Sequence, residues 1–278
     1  MTATDPPSAF SPRSNPRLPR AFAPAAPMNP PLAPSPDPFP GDRRALAAPT
    51  ASGRSAEGSA PLPACPADPE GAAAAALLWP QAWPEALPPL RLGVMASGAG
   101  SNFEALVRAG RPGPLNAEVV QLVVNNPGCG ASQRAAALAV PCALLDHREL
   151  RDRRQLDQRI VALFRERGVD LVVMAGWMRI VTPELIGAYP QRLLNIHPSL
   201  LPSFRGVDAV GQALAAGVRL SGCTAHLVVE EVDAGPILAQ AAVPVLAGDD
   251  HASLSARIQR QEHRLLPRAV ALAAARLR

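Results

Sequence analysis

Lysine is absent from this chain, so all 27 of its basic residues are arginines. Aromatic residues make up 4% of the sequence, and no run of arginines alternates with them, which argues against a nucleic-acid groove. Cysteine is scarce too. Cys65, Cys129, Cys142 and Cys223 stand far apart with no C-x-x-C pair, so the spacing writes neither a zinc site nor a disulfide framework, and a reducing cytoplasm is the expected setting. No metal is expected. No apolar run approaches the ~20 residues that a membrane span requires. The opening residues lack the basic and apolar regions of a signal peptide. Six acidic residues before position 71 argue against an organelle transit peptide, although the Ser, Ala and Arg content would suit one.

What is present is divided unevenly. Of the 33 prolines, 22 fall before position 91, among Ala, Ser and Gly, in a composition that cannot bury enough apolar surface to offset its ordering entropy. Residues 1–90 are therefore expected to be a disordered extension. Residues 91–278 are long enough for one core and form the expected folded domain. That domain carries 21 arginines against 16 carboxylates. An excess of this size suits an anionic small molecule.

From Arg91 the sequence alternates strand and helix patterns. Arg91 to Ala96 reads as a strand and Phe103 to Ala109 as a helix, with Ser97-Gly98-Ala99-Gly100-Ser101-Asn102 between them. Glycines at such a junction let backbone N–H groups approach an anion, and the helix terminus adds free donors and its dipole. A phosphate cradle and a plain turn capped by Ser101 or Asn102 both remain open here. A dinucleotide fingerprint does not: Phe103 occupies its third glycine, and the next strand ends in Asn125-Asn126 instead of an acid. Glu118 to Val124 and Cys142 to Leu145 follow as strands, with an Ala-rich helix from Ala131 to Leu138. Arg151 to Arg167 reads as an amphipathic helix, and the apolar run Asp170 to Ala175 as a central parallel strand. Pro183 opens a short helix.

The next strand ends in Asn195-Ile196-His197-Pro198. Alternation along a strand sends the amide and the imidazole out of the same face, at the carboxyl edge where open α/β sheets bind ligands. A Val207 to Ala216 helix follows. Cys223 to Val229 and Ile237 to Val245 are then expected to pair antiparallel, because only seven residues join them. That link, Glu230-Glu231-Val232-Asp233-Ala234-Gly235-Pro236, crowds three carboxylates, with Asp233 the one expected to be partly buried. Ser253 to Arg276 reads as a helix in which Pro267 should introduce a kink or restart. The class implied is α/β, a Rossmann-like, mostly parallel sheet flanked by helices with an antiparallel C-terminal strand pair.

Six motifs in order resemble the phosphoribosylglycinamide formyltransferases: Ser97-Gly98-x-Gly100-Ser101-Asn102, Ala175-Gly176-Trp177-Met178-Arg179-Ile180, Asn195-Ile196-His197-Pro198-Ser199-Leu200-Leu201-Pro202, Gly222-Cys223-Thr224-x-His226, Asp233-x-Gly235 and Gln261-Glu262-His263. The Asn-x-His-Pro block is shared with methionyl-tRNA formyltransferase and formyltetrahydrofolate deformylase, whereas the phosphate turn favours the purine enzyme. The resemblance implies transfer of the formyl group of 10-formyltetrahydrofolate, a co-substrate, to the amine of glycinamide ribonucleotide. It implies small-molecule substrates, no nucleic acid, no membrane, and a monomer or weak homodimer. A deformylase and a non-catalytic nucleotide- or folate-binding module are the alternatives.

The same resemblance assigns roles. Asn195 would donate to the formyl oxygen, and His197 would stabilise the oxyanion and pass a proton to the leaving nitrogen, with Asp233 favouring the imidazolium. Gly100, Ser101 and Asn102 would hold the phosphate and Glu262 the ribose hydroxyls. Met178, Arg179, Ile180 and Val181, with Val229, Glu230, Glu231, Val232 and Asp233, would wall the pterin pocket. Arg153 would face the folate's glutamate tail, with Arg151 and Arg154 close enough to substitute. Thr224 is either a packed strand threonine or a direct participant. Trp177 replaces a common Phe, and Ser203 to Ala209 departs from the pattern of some members. His226 and His263 are not expected to be catalytic; each is expected to buttress the site or to cap structure.

Overall fold

A computed structural model describes residues 78–79, 89–110 and 115–277. Apart from residues 78–79 and 89–90, the expected extension lies outside them. Eight strands form one sheet: β1 (Leu78–Trp79), β2 (Leu90–Ala96), β3 (Ala117–Val124), β4 (Cys142–Leu144), β5 (Leu171–Met174), β6 (Leu193–His197), β7 (Leu220–Leu227) and β8 (Ile237–Pro244). Their spatial order is β1-β8-β7-β6-β5-β2-β3-β4. Neighbours from β6 to β4 run parallel, while β6, β7, β8 and β1 alternate in direction. The mostly parallel sheet with an antiparallel C-terminal pair is thus as expected. β1 falls within the stretch expected to be disordered and pairs with the edge of β8.

The central strands show why both faces are covered. In β5 every residue is buried; Leu171 and Val173 join one apolar cluster while Val172 and Met174 join another. β2 alternates likewise, with Leu92, Val94 and Ala96 on one side and Met95 on the other. The first cluster is sealed by α1 (Ser101–Ala109), α2 (Gly130–Ala137), α5 (Ala209–Ala215) and α6 (His251–Ala275). The second is sealed by α3 (Arg153–Glu166) and α4 (Pro183–Ala188), with Phe164 set edge-on to Tyr189 at 6.4 Å between ring centroids. Each fully buried Leu, Ile or Phe contributes about 1.5–3 kcal/mol of transfer free energy.

Some boundaries move for local reasons. The helix expected from Val207 starts at Ala209, because Asp208 takes a left-handed conformation, φ 56°, and its carboxylate caps Gly211 N. Asp152 caps α3 by accepting from Arg154 N, so Arg151 stays outside. β7 begins at Leu220 and ends at Leu227, shifted from the expected Cys223 to Val229. Pro267 neither breaks nor restarts α6. It lies inside one continuous 25-residue helix on its buried face, beside Leu265, Leu266, Ala269 and Val270. A missing N–H removes one bond from the ladder, and the packing of that face outweighs the loss.

The loops that leave the carboxyl ends of β2, β5 and β6 meet on one side of the sheet. That is where an open α/β sheet with a change of strand order offers a crevice.

Candidate active site

β6 delivers Asn195 and His197 to the crevice, and its antiparallel register with β7 sets His226 opposite Asn195 and Thr224 opposite His197. His226 Nε2 lies 3.2 Å from Asn195 Nδ2, and His226 Nδ1 lies 3.0 Å from the Leu227 carbonyl oxygen. With a proton on Nδ1 for that carbonyl, His226 accepts at Nε2 from the Asn195 amide. One Asn195 hydrogen is thereby fixed and the other is free for the cavity.

His197 is 6% exposed, and its Nε2 lies 2.8 Å from the carbonyl oxygen of Phe204. With Nε2–H anchored on that carbonyl, Nδ1 is the nitrogen left to face Asp233. Nδ1 lies 3.3 Å from Asp233 Oδ2, while the other carboxylate oxygen, Oδ1, lies 3.6 Å from His226 Nε2. Gly206 N also donates to Asp233 Oδ2, at 2.9 Å. Burial by itself raises the Asp233 carboxyl; the neighbouring imidazoles of His226 and His197 and the hydrogen bond from Gly206 N outweigh it and hold the group below its ordinary value. Of the three crowded carboxylates, Asp233 is therefore the one turned inward, as expected, and Glu230 and Glu231 are exposed. Phe204, Asp208 and Asp233 all have φ between 52° and 56°. Left-handed backbone costs roughly 1–2 kcal/mol per non-glycine residue, strain that collects here around the site.

The glycine-rich turn from Ser97 to Asn102 is built by close packing. Gly100 has φ +78°, and a Cβ there would lie 2.5 Å from Ala131 Cα, so conformation and space both require glycine. Gly100 is itself the N-cap of α1 and no side chain caps that helix, which sets aside Ser101 and Asn102 as caps. Asn102 instead donates through Nδ2 to Glu262 Oε2 at 2.8 Å. Burial raises the Glu262 carboxyl, and the Asn102 hydrogen bond opposes that rise. Arg134 donates to the Ala99 carbonyl at 2.9 Å and pairs with Glu104, bracing the turn from α2.

Both groups of residues open on one cavity of about 920 Å³. Gly100, Ser101, Asn102 and Glu262 line one part, and Asn195, His197 and Asp233 another. Met178, Arg179, Ile180 and Val181 face Val229, Glu230, Glu231 and Val232 across a third. Arg153 is exposed and does not line it, and Arg154 is paired with Glu184 at 3.5 Å. Thr224 is fully buried; its hydroxyl donates to Ser199 O and accepts from Leu201 N and Gln240 Nε2, which ties the loop after His197 to the sheet. The hydroxyl is thus committed to that loop.

Two contributors were not assigned from the sequence, and a third, His226, was expected to buttress the site without its partner being named. His226 orients Asn195 directly, a role its position opposite Asn195 could have suggested once the strand pairing was drawn. Ser97, read there as part of the turn, accepts through Oγ from Met178 N at 2.9 Å and through its carbonyl from Asn126 Nδ2 at 2.7 Å, joining three loops. The loop from Ser203 to Gly206 acts through backbone groups, which no side-chain motif records.

The fold and the match of the family profile over residues 90–270 define a group-transfer enzyme of the formyl transferase family, to which the chain belongs. The chain is 38% identical over 177 residues to the phosphoribosylglycinamide formyltransferase of Bacillus subtilis (strain 168), covering 64% of this chain and 91% of that protein. It is 40% identical over 185 residues to the trifunctional purine biosynthetic protein adenosine-3 of Gallus gallus, covering 66% of this chain but spanning only 18% of that protein. Among solved structures, glycinamide ribonucleotide transformylase 1 from Symbiobacterium toebii matches with a TM-score of 0.66 and 41% identity, over 67% of this chain and 88% of that one.

Proposed function

We propose that this chain transfers the formyl group of 10-formyltetrahydrofolate to the amine of glycinamide ribonucleotide, a step of purine biosynthesis. The observation that carries this reading is that an amide, an imidazole and a carboxylate share one cavity with a glycine-built anion turn and a buried carboxylate. An uncharged amine attacks the formyl carbon, and charge develops on the formyl oxygen. Asn195 Nδ2 donates to that oxygen, and His197 Nδ1–H supports it and then passes its proton to the folate nitrogen as the carbon–nitrogen bond breaks. Asp233 holds the imidazolium facing the reacting carbon. The proton shed by the attacking amine restores the pair, so no covalent enzyme intermediate is needed.

Gly100, Ser101 and Asn102 hold the phosphate through backbone donors and Glu262 the ribose hydroxyls. Residues 178–181 and 229–233 enclose the pterin. A cytoplasmic setting belongs to the same reading, supported by the free thiols of Cys129, Cys142 and Cys223. No helix among the described residues is long and apolar enough to cross a membrane.

The test is the folate absorbance change with and without glycinamide ribonucleotide. Conversion is expected only with the ribonucleotide, and His197→Ala is expected to reduce it by about 100- to 10,000-fold while ribonucleotide binding stays within a few-fold of wild type. Formate release without ribonucleotide, or wild-type turnover in the variant, would overturn the reading.

A further inference from the structure

The segment from Met178 to Val181 walls the cavity although much of it is poorly packed: Met178 is 81% exposed and Ile180 57%. Side-chain burial therefore fixes little of its backbone beyond Val181, which packs on the second apolar cluster. Two hydrogen-bonded anchors hold it. At one end the Ser97 hydroxyl accepts from Met178 N, and Ser97 N donates to Gly176 O at 3.0 Å. At the other end, Asp157 Oδ2 accepts from Thr182 N at 2.6 Å and from Thr182 Oγ1 at 2.8 Å.

The second anchor is costly. Asp157 is 3% exposed, on the face of α3 that otherwise presents Leu156, Ile160 and Phe164 to the core. A carboxylate in such a place costs several kcal/mol unless it is well bonded. Burial raises its carboxyl and the Thr182 bonds counter that rise, with Glu184 and Arg179 the charged groups that act on it. Thr182, 8% exposed, stands at the N-cap of α4, where a threonine hydroxyl ordinarily caps its own helix. No such cap bond forms here. The hydroxyl is turned back to Asp157 instead.

We infer that Asp157 and Thr182 are a positioning pair for the folate-binding wall, holding residues 178–181 in register with residues 229–232 so that the pterin is gripped from both sides. This rests on the formyl-folate reading of the cavity. Neither residue touches the cavity, so the pair acts only through the wall. Displacing such a wall by an ångström weakens binding and misplaces the formyl group. The ribonucleotide cradle at residues 98–102 and Glu262 is braced by α2 and α6 and meets the wall only through Ser97, at the end opposite Asp157 and Thr182, so its affinity should not follow the pair.

The experiment measures calorimetric dissociation constants for a stable reduced folate and for glycinamide ribonucleotide on the whole chain and on Thr182→Ser, Thr182→Val and Asp157→Asn. Thr182→Val is near in shape but leaves the buried carboxylate short of a donor, and Asp157→Asn weakens the acceptor. Both should weaken folate binding by about tenfold, the size expected for one hydrogen bond to a charged group. Thr182→Ser keeps the hydroxyl and should stay within about twofold of wild type, and ribonucleotide affinity should not move in any of them. Thr182→Val binding folate as tightly as wild type, or losing both ligands equally, would overturn the pairing alone. A wild type that binds no folate would overturn the reading of the cavity together with it.

Discussion

At the scale of one residue, the ribonucleotide-binding role proposed for Glu262 would be held at a cost in stability. Its carboxylate is 8% exposed, and burial raises its pKa above the ordinary value of 4.5. A raised carboxyl means that folding favours the protonated form. The cost of the buried charge is then absent at low pH and grows as pH rises through the raised value. Glu262→Gln carries no charge at any pH and keeps an oxygen to accept from Asn102. The variant should therefore melt above wild type at pH 8, and the gap should close as pH falls toward 4.5, while ribonucleotide affinity drops by about tenfold. Melting curves across this range check the sign; a variant less stable than wild type at pH 8, or a gap that does not change with pH, would show that the charge is not what burial penalises. Asp233 behaves in the opposite sense. Its carboxyl is held below the ordinary value, so its contribution is present at neutral pH and is lost only as pH falls below about 4.

At the scale of elements, legibility follows the range of the interaction. Asn195 and His197 could be placed together from sequence because strand alternation is a two-residue rule, and the cradle at Gly98 to Asn102 because a glycine-rich strand-to-helix turn is local. That His226 buttresses the site was legible, but its partner Asn195 and the Asp157–Thr182 pair were not, since each depends on which strand or loop lies opposite. Pro267 misled for the same reason: its local penalty is real, but the buried face of α6 decides. What begins that helix was also local and unread. Asp250 and Ser253 form a reciprocal capping box, Asp250 accepting from Ser253 N at 2.8 Å while Asp250 N donates to Ser253 Oγ at 3.0 Å. Asp250→Ala should cost about 1 kcal/mol of stability in urea titrations. Glu262 lies about three turns further on, so ribonucleotide affinity should stay within twofold. A large loss of affinity would mean that the first turn of α6 shapes the cradle.

At the scale of the whole molecule, the open matter is how far the domain depends on what precedes it. Among the described residues, both apolar clusters draw their members from Leu90 to Ala274, and the residues of the cavity lie between Ser97 and Glu262. β1 adds two residues to the sheet, Leu78 opposite Ala241 and Trp79 opposite Gln240. A ladder that short is worth about 1–2 kcal/mol net, and its further effect is to cover the edge of β8, which would otherwise present unpaired backbone groups. Deleting residues 1–88 should therefore leave the circular dichroism spectrum of the domain and formyl transfer within about twofold of the full chain. Stability should fall by no more than about 2 kcal/mol. The uncovered strand should show itself in concentration-dependent association, measured by light scattering. A truncated chain that fails to fold, or that folds and transfers no formyl group, would mean that the preceding segment completes the core or the site, a dependence that neither apolar cluster nor the cavity lining contains.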